Sequence, residues 1–378
     1  MKKVINFGPG PAKLPVEVIE RAQRELLNYD NRVGISILEM SHRSADFSNL
    51  LKETEKLLRE LMYEEIPDEY AVLFMHGGGT GQFAAIAQNL GFLAKNQEKP
   101  TANYVVTGGW SDKAAKEAAK FITVNQVLKP QKPYAGVVPL NQWNIDSDAA
   151  YLYYCANETI HGVEFTNAPE VGDVALVADV SSNILSRPFD VSKHALVFAG
   201  TQKNIGIAGL TIVIVRKDLM GKAHPLTPSI LDYEEIYKNN SVYNTPPCFA
   251  IYITKLVLEW IRDQGGPQAI FERNRQKAER IYNIIDSSDQ FYTSVVDKSH
   301  RSQMNIPFRI GQGANGTNGN EELEAAFLKL SQARNMISLK GHRSVGGIRA
   351  SLYNAVTLDE VEALANLMEE FKANNNKT

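Results

Sequence analysis

With 378 residues, 44% of them hydrophobic and 22% charged, the chain has the make-up of a globular protein with room for two or three domains. Lysine plus arginine, 40, nearly balance aspartate plus glutamate, 43, and a net charge of −3 gives no electrostatic ground for a nucleic-acid or membrane partner. Two cysteines, Cys155 and Cys248, are too few for a disulfide framework, and no signal-peptide core or run of about eighteen apolar residues is present, so a cytoplasmic location is expected.

Taken in chain order, "NFGPGPAKLP" is broken by glycine and proline before any long element can form. Short apolar runs then alternate with helical patterns. "AVLFM" precedes "GQFAAIAQNLGFL", "NYVVTGG" precedes "DKAAKEAAKF", and "VALVAD", "HALVFAG" and "LTIVIV" follow before a long helix around "FAIYITKLVLEWIRDQ". Near-continuous apolar strands separated by helices predict a mainly parallel sheet covered on both faces, with functional residues at the strand ends. The punctuation "DQGGPQAI" reads as a domain boundary. Beyond it come a helix "ERNRQKAERIYNIIDSS", a strand "MNIPFRI", a Gly/Asn loop "GQGANGTNGN", a helix from about Glu321 and a strand around "GGIRASLYN". A last helix follows, capped by Thr357 with Glu360, and then a polar tail "NNNKT".

Four features carry chemistry. "HGGGTGQF" lies between a strand and a helix, where adjacent glycines let backbone N–H groups approach an anion; the alternative is a tight turn, and neither the P-loop nor the dinucleotide pattern is met. In "TGGWSDK", Ser111 reads as an N-cap that leaves Trp110 just outside the helix, as a core residue or as a plate for a flat ligand. Asp179 ends "VALVAD", where a buried carboxylate needs a cation or donors, from Ser181, Ser182 or a protonated ring nitrogen. Lys203, in "FAGTQKN" between two apolar strands, is an amine whose burial would lower its pKa and make it nucleophilic. Together these meet the demands of pyridoxal phosphate: an anchored phosphate, a stacked ring, a paired pyridinium nitrogen and an amine for the aldehyde.

The ordered motifs "NFGPGPAKLP", "EMSHRS", "GGGTGQF", "VTGGWS", "YCANETIHGVEF", "VADVSSN", "FAGTQKN", "YNTPP" and "GHRSVGGIRASLYNA" span nearly the whole chain. In them the sequence resembles the phosphoserine aminotransferases, class V aminotransferases of the fold-type I pyridoxal phosphate enzymes. The resemblance implies an α/β fold: a large domain over residues 17–265 with a mainly parallel seven-stranded sheet, and a smaller α/β domain from residues 1–16 and 266–378. It implies that Lys203 is the Schiff-base lysine, Asp179 the partner of the pyridinium nitrogen and Trp110 the stacking aromatic. Thr159 corresponds to a donor to the cofactor's phenolic oxygen, and Gly79, Thr80 and Gln202 to phosphate-side contacts. Asn244 and Thr245 correspond to residues reaching the phosphate in the neighbouring subunit, which implies a homodimer with shared sites. The chain departs from some members at Thr80, where they carry Arg, and at Pro9, where they carry Ser.

Two cationic clusters remain, His42 with Arg43 and His342 with Arg343 and Arg349, set among glycines and serines without the period of a solvated helix face. Arginine forks and histidine donors suit a substrate anionic at both ends. The resemblance assigns Arg349 to the α-carboxylate and leaves the others for a distal phosphate or the γ-carboxylate of glutamate. It implies transfer of the amino group of L-glutamate to 3-phosphohydroxypyruvate by ping-pong kinetics, giving O-phospho-L-serine and 2-oxoglutarate. The alternative is another class V aminotransferase acting on a small or phosphorylated oxo acid. A cysteine desulfurase would need a mobile reactive cysteine, whereas Cys155 and Cys248 both read as packing residues.

Overall fold

The structure, a computed structural model, describes residues 4–63, 65–129, 131–313 and 319–375; part of the Gly/Asn loop and the end of the polar tail lie outside them. After β1 (Ile5–Asn6), α1 (Val16–Glu25) and α2 (Ala45–Leu61), strands and helices alternate through β2 (Tyr70–Met75), α3 (Gly78–Leu90), β3 (Thr101–Val105) and α4 (Gly109–Ala118). Then come β4 (Thr123–Gln126), β5 (Leu152–Cys155), β6 (Leu176–Asp179), β7 (Leu196–Gly200) and β8 (Thr211–Arg216). Helices α5 (Tyr233–Lys238), α6 (Cys248–Asp263) and α7 (Gly266–Asp286) lead to β9 (Tyr292–Thr293) and β10 (Asn305–Ile310). The chain ends with α8 (Glu321–Ala333), β11 (Met336–Ile337), β12 (Ile348–Ser351) and α9 (Leu358–Asn375).

A seven-stranded sheet of order β2-β8-β7-β6-β5-β3-β4 organises the chain, with β8 antiparallel to both neighbours and every other pairing parallel. Its strands show no polar alternation because both faces are buried. Val197 and Ala199 of β7, like Ile212 and Ile214 of β8, enter one core, while Leu196, Phe198, Val213 and Val215 enter the other. Such burial stabilises by roughly 1.5–3 kcal/mol per large side chain. β4 and β5 carry a weaker signature: β4 is the polar run TVNQ beside β3 alone, and β5 is the short aromatic run LYYC.

At the Gly-Gly-Pro punctuation, Gly265 and Gly266 adopt φ of 94° and 75°, and α7 begins at Gly266, so the signal marks a sharp corner between two helices. Beyond it β12, β10 and β9 form an antiparallel sheet, β1 pairs with β11, and a third core gathers Phe7, Ile281, Ile306, Ile348 and Leu364. Thr357 and Glu360 form the expected capping box on α9. Buried amides tie this part to the large sheet: Asn157 Nδ2 donates to Asn305 Oδ1 at 2.9 Å, and Asn204 Oδ1 accepts from the backbone N–H of Asn354 at 3.0 Å. Lys277, buried in α7, donates to the carbonyls of Leu352, Tyr353 and Val356 and fastens the turn after β12. These bonds hold β12 and the Lys203 loop in one relation, which positions the site described below.

His194 leads into β7, where its Nε2 accepts from the Tyr154 hydroxyl at 2.8 Å and its Nδ1–H donates to the Asp190 carbonyl at 2.9 Å. Burial pushes its pKa down to about 4, against about 6.5 in the unfolded chain. The stability it contributes is therefore complete above pH 6.5 and lost as pH falls toward 4. Urea unfolding at pH 7 and pH 5 should show a loss of about 2 kcal/mol from this group, and His194→Asn should make the decline shallower.

Candidate active site

The C-terminal ends of the strands that run parallel in the large sheet converge on one edge. There the glycine loop follows β2, Trp110 follows β3, Thr159 follows β5, Asp179 ends β6, and Gln202 and Lys203 follow β7. This is the edge at which ligands bind in open α/β sheets.

Two helices begin at this edge, and their N-termini differ. α3 starts from Gly77 and Gly78, at φ 94° and 62°, with no side-chain cap, so its first N–H groups, those of Gly79 and Thr80 among them, remain available to an anion. α4 is capped by the chain itself. His161 Nδ1 accepts from Gly109 N–H at 3.1 Å, and the Glu158 carboxylate accepts from Trp110 N–H at 3.0 Å and from Ser111 N–H at 2.8 Å. The uncapped terminus, at the glycine loop, is the one suited to a phosphate. Trp110 therefore lies inside the first turn of α4, not ahead of it as expected. Ser111 is the third helical residue, with its hydroxyl donating to Glu158 at 2.6 Å and accepting from the backbone N–H groups of Thr107 and Gly108.

Lys203 is half-buried, and its Nζ donates to Thr159 Oγ1 at 2.8 Å and lies 5.6 Å from the centroid of the Trp110 ring. Burial lowers its pKa, with the negative charges of Asp179 and Glu158 acting in the opposite sense. Asp179 is buried; its Oδ1 accepts from Ser181 N–H at 2.9 Å, while Oδ2 meets the Tyr153 hydroxyl at a long 3.5 Å. Ser182 goes instead to Asn157. Burial raises the Asp179 pKa and the Lys203 charge opposes that rise. Gln202 is partly buried, its carbonyl accepting from Ala12 N–H at 2.9 Å. Gly10, at φ 139°, a backbone conformation that favours glycine, lies beside this turn. Pro9 contributes its carbonyl, which accepts from the Tyr353 hydroxyl at 2.8 Å.

Arg349 of β12 is buried, with Nη1 donating to the Thr159 carbonyl at 3.2 Å and Nε without a hydrogen-bond partner among the described residues. The indole Nε1 of Trp110 is in the same condition. His342 and Arg343 lie on the loop before β12; Arg343 is exposed, and His342 turns its Nδ1 to Ser344 Oγ at 2.7 Å.

The remaining cationic pair is elsewhere. His42 and Arg43 line a cavity of about 500 Å³ with Lys52, Arg59, Lys217 and Tyr237, beside the edge strand β2. No contact joins them to Lys203, Thr159 or Arg349 among the described residues. Asn244 and Thr245 are exposed and adjoin the glycine loop through His76, whose Nε2 is 3.4 Å from Asn244 Nδ2 and 3.2 Å from the Thr245 carbonyl.

The aminotransferase class V family model matches residues 4–364. The chain belongs to the class V aminotransferases. It is 58% identical over 369 residues to a "Probable phosphoserine aminotransferase" of Caenorhabditis elegans, covering 97% of this chain and 96% of that one. It superposes on the crystal structure of phosphoserine aminotransferase from Bacillus circulans subsp. alkalophilus with TM-score 0.91, 44% identity and 99% of each chain covered. The phosphoserine aminotransferase of Trichomonas vaginalis, solved with pyridoxal phosphate bound, matches with TM-score 0.90 and 39% identity over 97% of this chain and 100% of that one.

The residues present fit that cofactor. An uncapped helix N-terminus suits its phosphate, a weakly engaged carboxylate oxygen on Asp179 suits a ring N–H, and the Trp110 face and Lys203 amine stand beside them. Sequence reasoning missed Glu158, His161 and Tyr153; the signal for the first two was a carboxylate and an imidazole flanking Thr159 in "NETIHG". Both thiols are unpaired: Cys155 is buried as expected, but Cys248 is only half-buried, at the first turn of α6. Burial pushes the Cys155 thiol far up, the reverse of what a reactive cysteine needs. Titration of the native chain at pH 8 with a thiol reagent should modify Cys248 slowly and leave Cys155 untouched until the chain unfolds.

Proposed function

We propose that this chain is a pyridoxal phosphate enzyme that transfers the amino group of L-glutamate to 3-phosphohydroxypyruvate, giving O-phospho-L-serine and 2-oxoglutarate in L-serine biosynthesis. The observation that carries the reading is the amine of Lys203, which donates to Thr159, lies 5.6 Å from the Trp110 ring and feels the charge of Asp179, with Arg349 bonded to the same Thr159 and its Nε unpartnered. The 58% identity to a relative bearing that activity in its name supports the choice of substrates.

Gly79, Thr80 and Gln202 would hold the cofactor's phosphate, Trp110 would stack on its ring, Asp179 would accept from the ring N–H and Thr159 would donate to its phenolic oxygen. When bound, the cofactor supplies an aldehyde carbon that exchanges amines and a ring that takes up the charge left when a Cα proton departs. Lys203 is the catalytic residue. Its lowered proton affinity lets Nζ act as a base that takes the Cα proton and returns it, a contribution of roughly 10²- to 10⁴-fold. Arg349 binds the substrate α-carboxylate through the fork whose Nε is otherwise unsatisfied, and so orients the Cα–H toward Nζ. Because one site serves both half-reactions in turn, the kinetics are ping-pong.

His42 and Arg43 line a cavity beside the edge strand β2 and Asn244 and Thr245 adjoin His76 just after it, so we assign all four to the site of a second copy in a homodimer. His342 and Arg343 serve the same anionic end of the substrate from within the chain. The residues 17–265 form the cofactor-binding domain and residues 1–16 with 266–378 the small domain, in keeping with the separate core around Phe7 and Leu364. Two unpaired cysteines suit a reducing, cytoplasmic setting.

Lys203→Ala should cut turnover by more than about 10³-fold and abolish the visible band gained on adding pyridoxal phosphate; near-normal turnover would overturn the assignment. Mixing Lys203→Ala with Arg43→Ala chains tests the shared site. Each parent should be nearly inactive, while random pairing makes about half the dimers hybrid, each with one intact site, and restores about a quarter of wild-type activity. Absence of recovery on mixing would place Arg43 in its own chain's site, and a fully active Arg43→Ala parent would place it in none.

A further inference from the structure

Glu158 is a fully buried carboxylate that acts on Lys203 only through its charge, at a distance. It accepts three hydrogen bonds, all from the first turn of α4: Trp110 N–H, Ser111 N–H and the Ser111 hydroxyl. The ordinary way to cap such a helix is a serine, threonine or aspartate at the N-cap position. Here that position is Gly108, and the reason is steric: a Cβ there would lie 2.3 Å from Glu158 Cδ and 2.5 Å from its Oε2. The fold has replaced an inexpensive local cap with a buried charge brought from the loop after β5. Taking a carboxylate out of water is costly unless it is fully engaged. What the arrangement gains is a tie between two loops. Glu158 sits directly before Thr159, which holds Lys203, and its carboxylate binds the backbone of Trp110, which flanks the same amine. His161 adds a second tie, to Gly109 N–H.

We propose that Glu158 is a positioning residue: by capping α4 from the β5 loop it sets the Trp110 ring over the site and fixes its distance from Lys203, with Gly108 kept free of a side chain to admit it. The inference rests on the reading of the site as one that holds pyridoxal phosphate. It assigns two residues, neither in contact with the reacting atoms, to the geometry of the ring-binding face.

The test compares Glu158→Ala, Glu158→Gln, Gly108→Ala and Ser111→Ala in the full-length chain. Two readouts are used: the dissociation constant of pyridoxal phosphate, and the near-ultraviolet circular dichroism of Trp110 in the cofactor-free chain, isolated by difference from Trp110→Phe. Loss of charge-assisted bonds at this cap should weaken cofactor binding about tenfold or more in Glu158→Ala and flatten the Trp110 signal. Gly108→Ala, which expels the carboxylate, should reproduce both effects. Glu158→Gln keeps the size and one acceptor oxygen and should fall between this variant and wild type. Should the alanine variant not fold, Ser111→Ala and Glu158→Gln carry the test, since each removes part of the cap without opening a large cavity. Folded variants with a wild-type Trp110 signal and unchanged cofactor affinity, even at a lower melting temperature, would reduce Glu158 to a structural cap and overturn the proposal. Failure of the cofactor reading itself would look different: the wild-type chain would then bind no pyridoxal phosphate.

Discussion

The amine of Lys203 is held largely out of water at the end of a sheet buried on both faces, and the rest of the site follows from that constraint. Burial lowers the affinity of the amine for its proton, and the surroundings limit how far the shift can go. Thr159 accepts its hydrogen bond, Asp179 and Glu158 supply negative charge, and the Trp110 face lies within cation–π range. An amine that was to act as a base would be served by such opposing influences on its proton affinity.

The two helix N-termini at the same edge show how a division of labour is written into side chains. At α3 the glycines leave N–H groups unsatisfied by any side chain, and at α4 the loop after β5, the strand next to β3 in the sheet, satisfies them. One terminus stays open to an anion and the other becomes a rigid mount for an aromatic ring. The difference is decided by which terminus a carboxylate can reach, and Gly108 is where that decision is visible.

The cationic residues divide by burial. Arg349 is enclosed, fixed by one bond to the Thr159 carbonyl and joined through β12 to the amide contacts that link the small sheet to the large one. A guanidinium held this way keeps its unpartnered Nε at a set position beside the Thr159 loop. Arg43 and Arg343 are exposed and unconstrained by such a network, which suits the more variable, distal end of a substrate. His42 and Arg43 lie beside the edge strand β2, where a surface can be completed by another copy of the chain.

Much of this was legible in the residues. The runs that became β2, β3, β6, β7 and β8 read as doubly buried strands, because their apolar residues fall on both alternating faces. Lys203, Asp179, Trp110 and the glycine loop stood out as polar or aromatic residues at the ends of such runs, where a mainly parallel sheet collects its function. The polar β4 and the short β5 were harder to see, because an edge strand need not be apolar and four residues carry little pattern. Local capping preferences also misplaced the start of α4: Ser111 is a good N-cap by type, but a carboxylate from outside the helix took the role. Sequence alone determined which groups must leave water and so which must find partners. Only the tertiary structure decided who those partners are, because Glu158 with Trp110, Thr159 with Lys203 and Arg349 with Thr159 are distant in the chain and meet through sheet order, not through any local propensity.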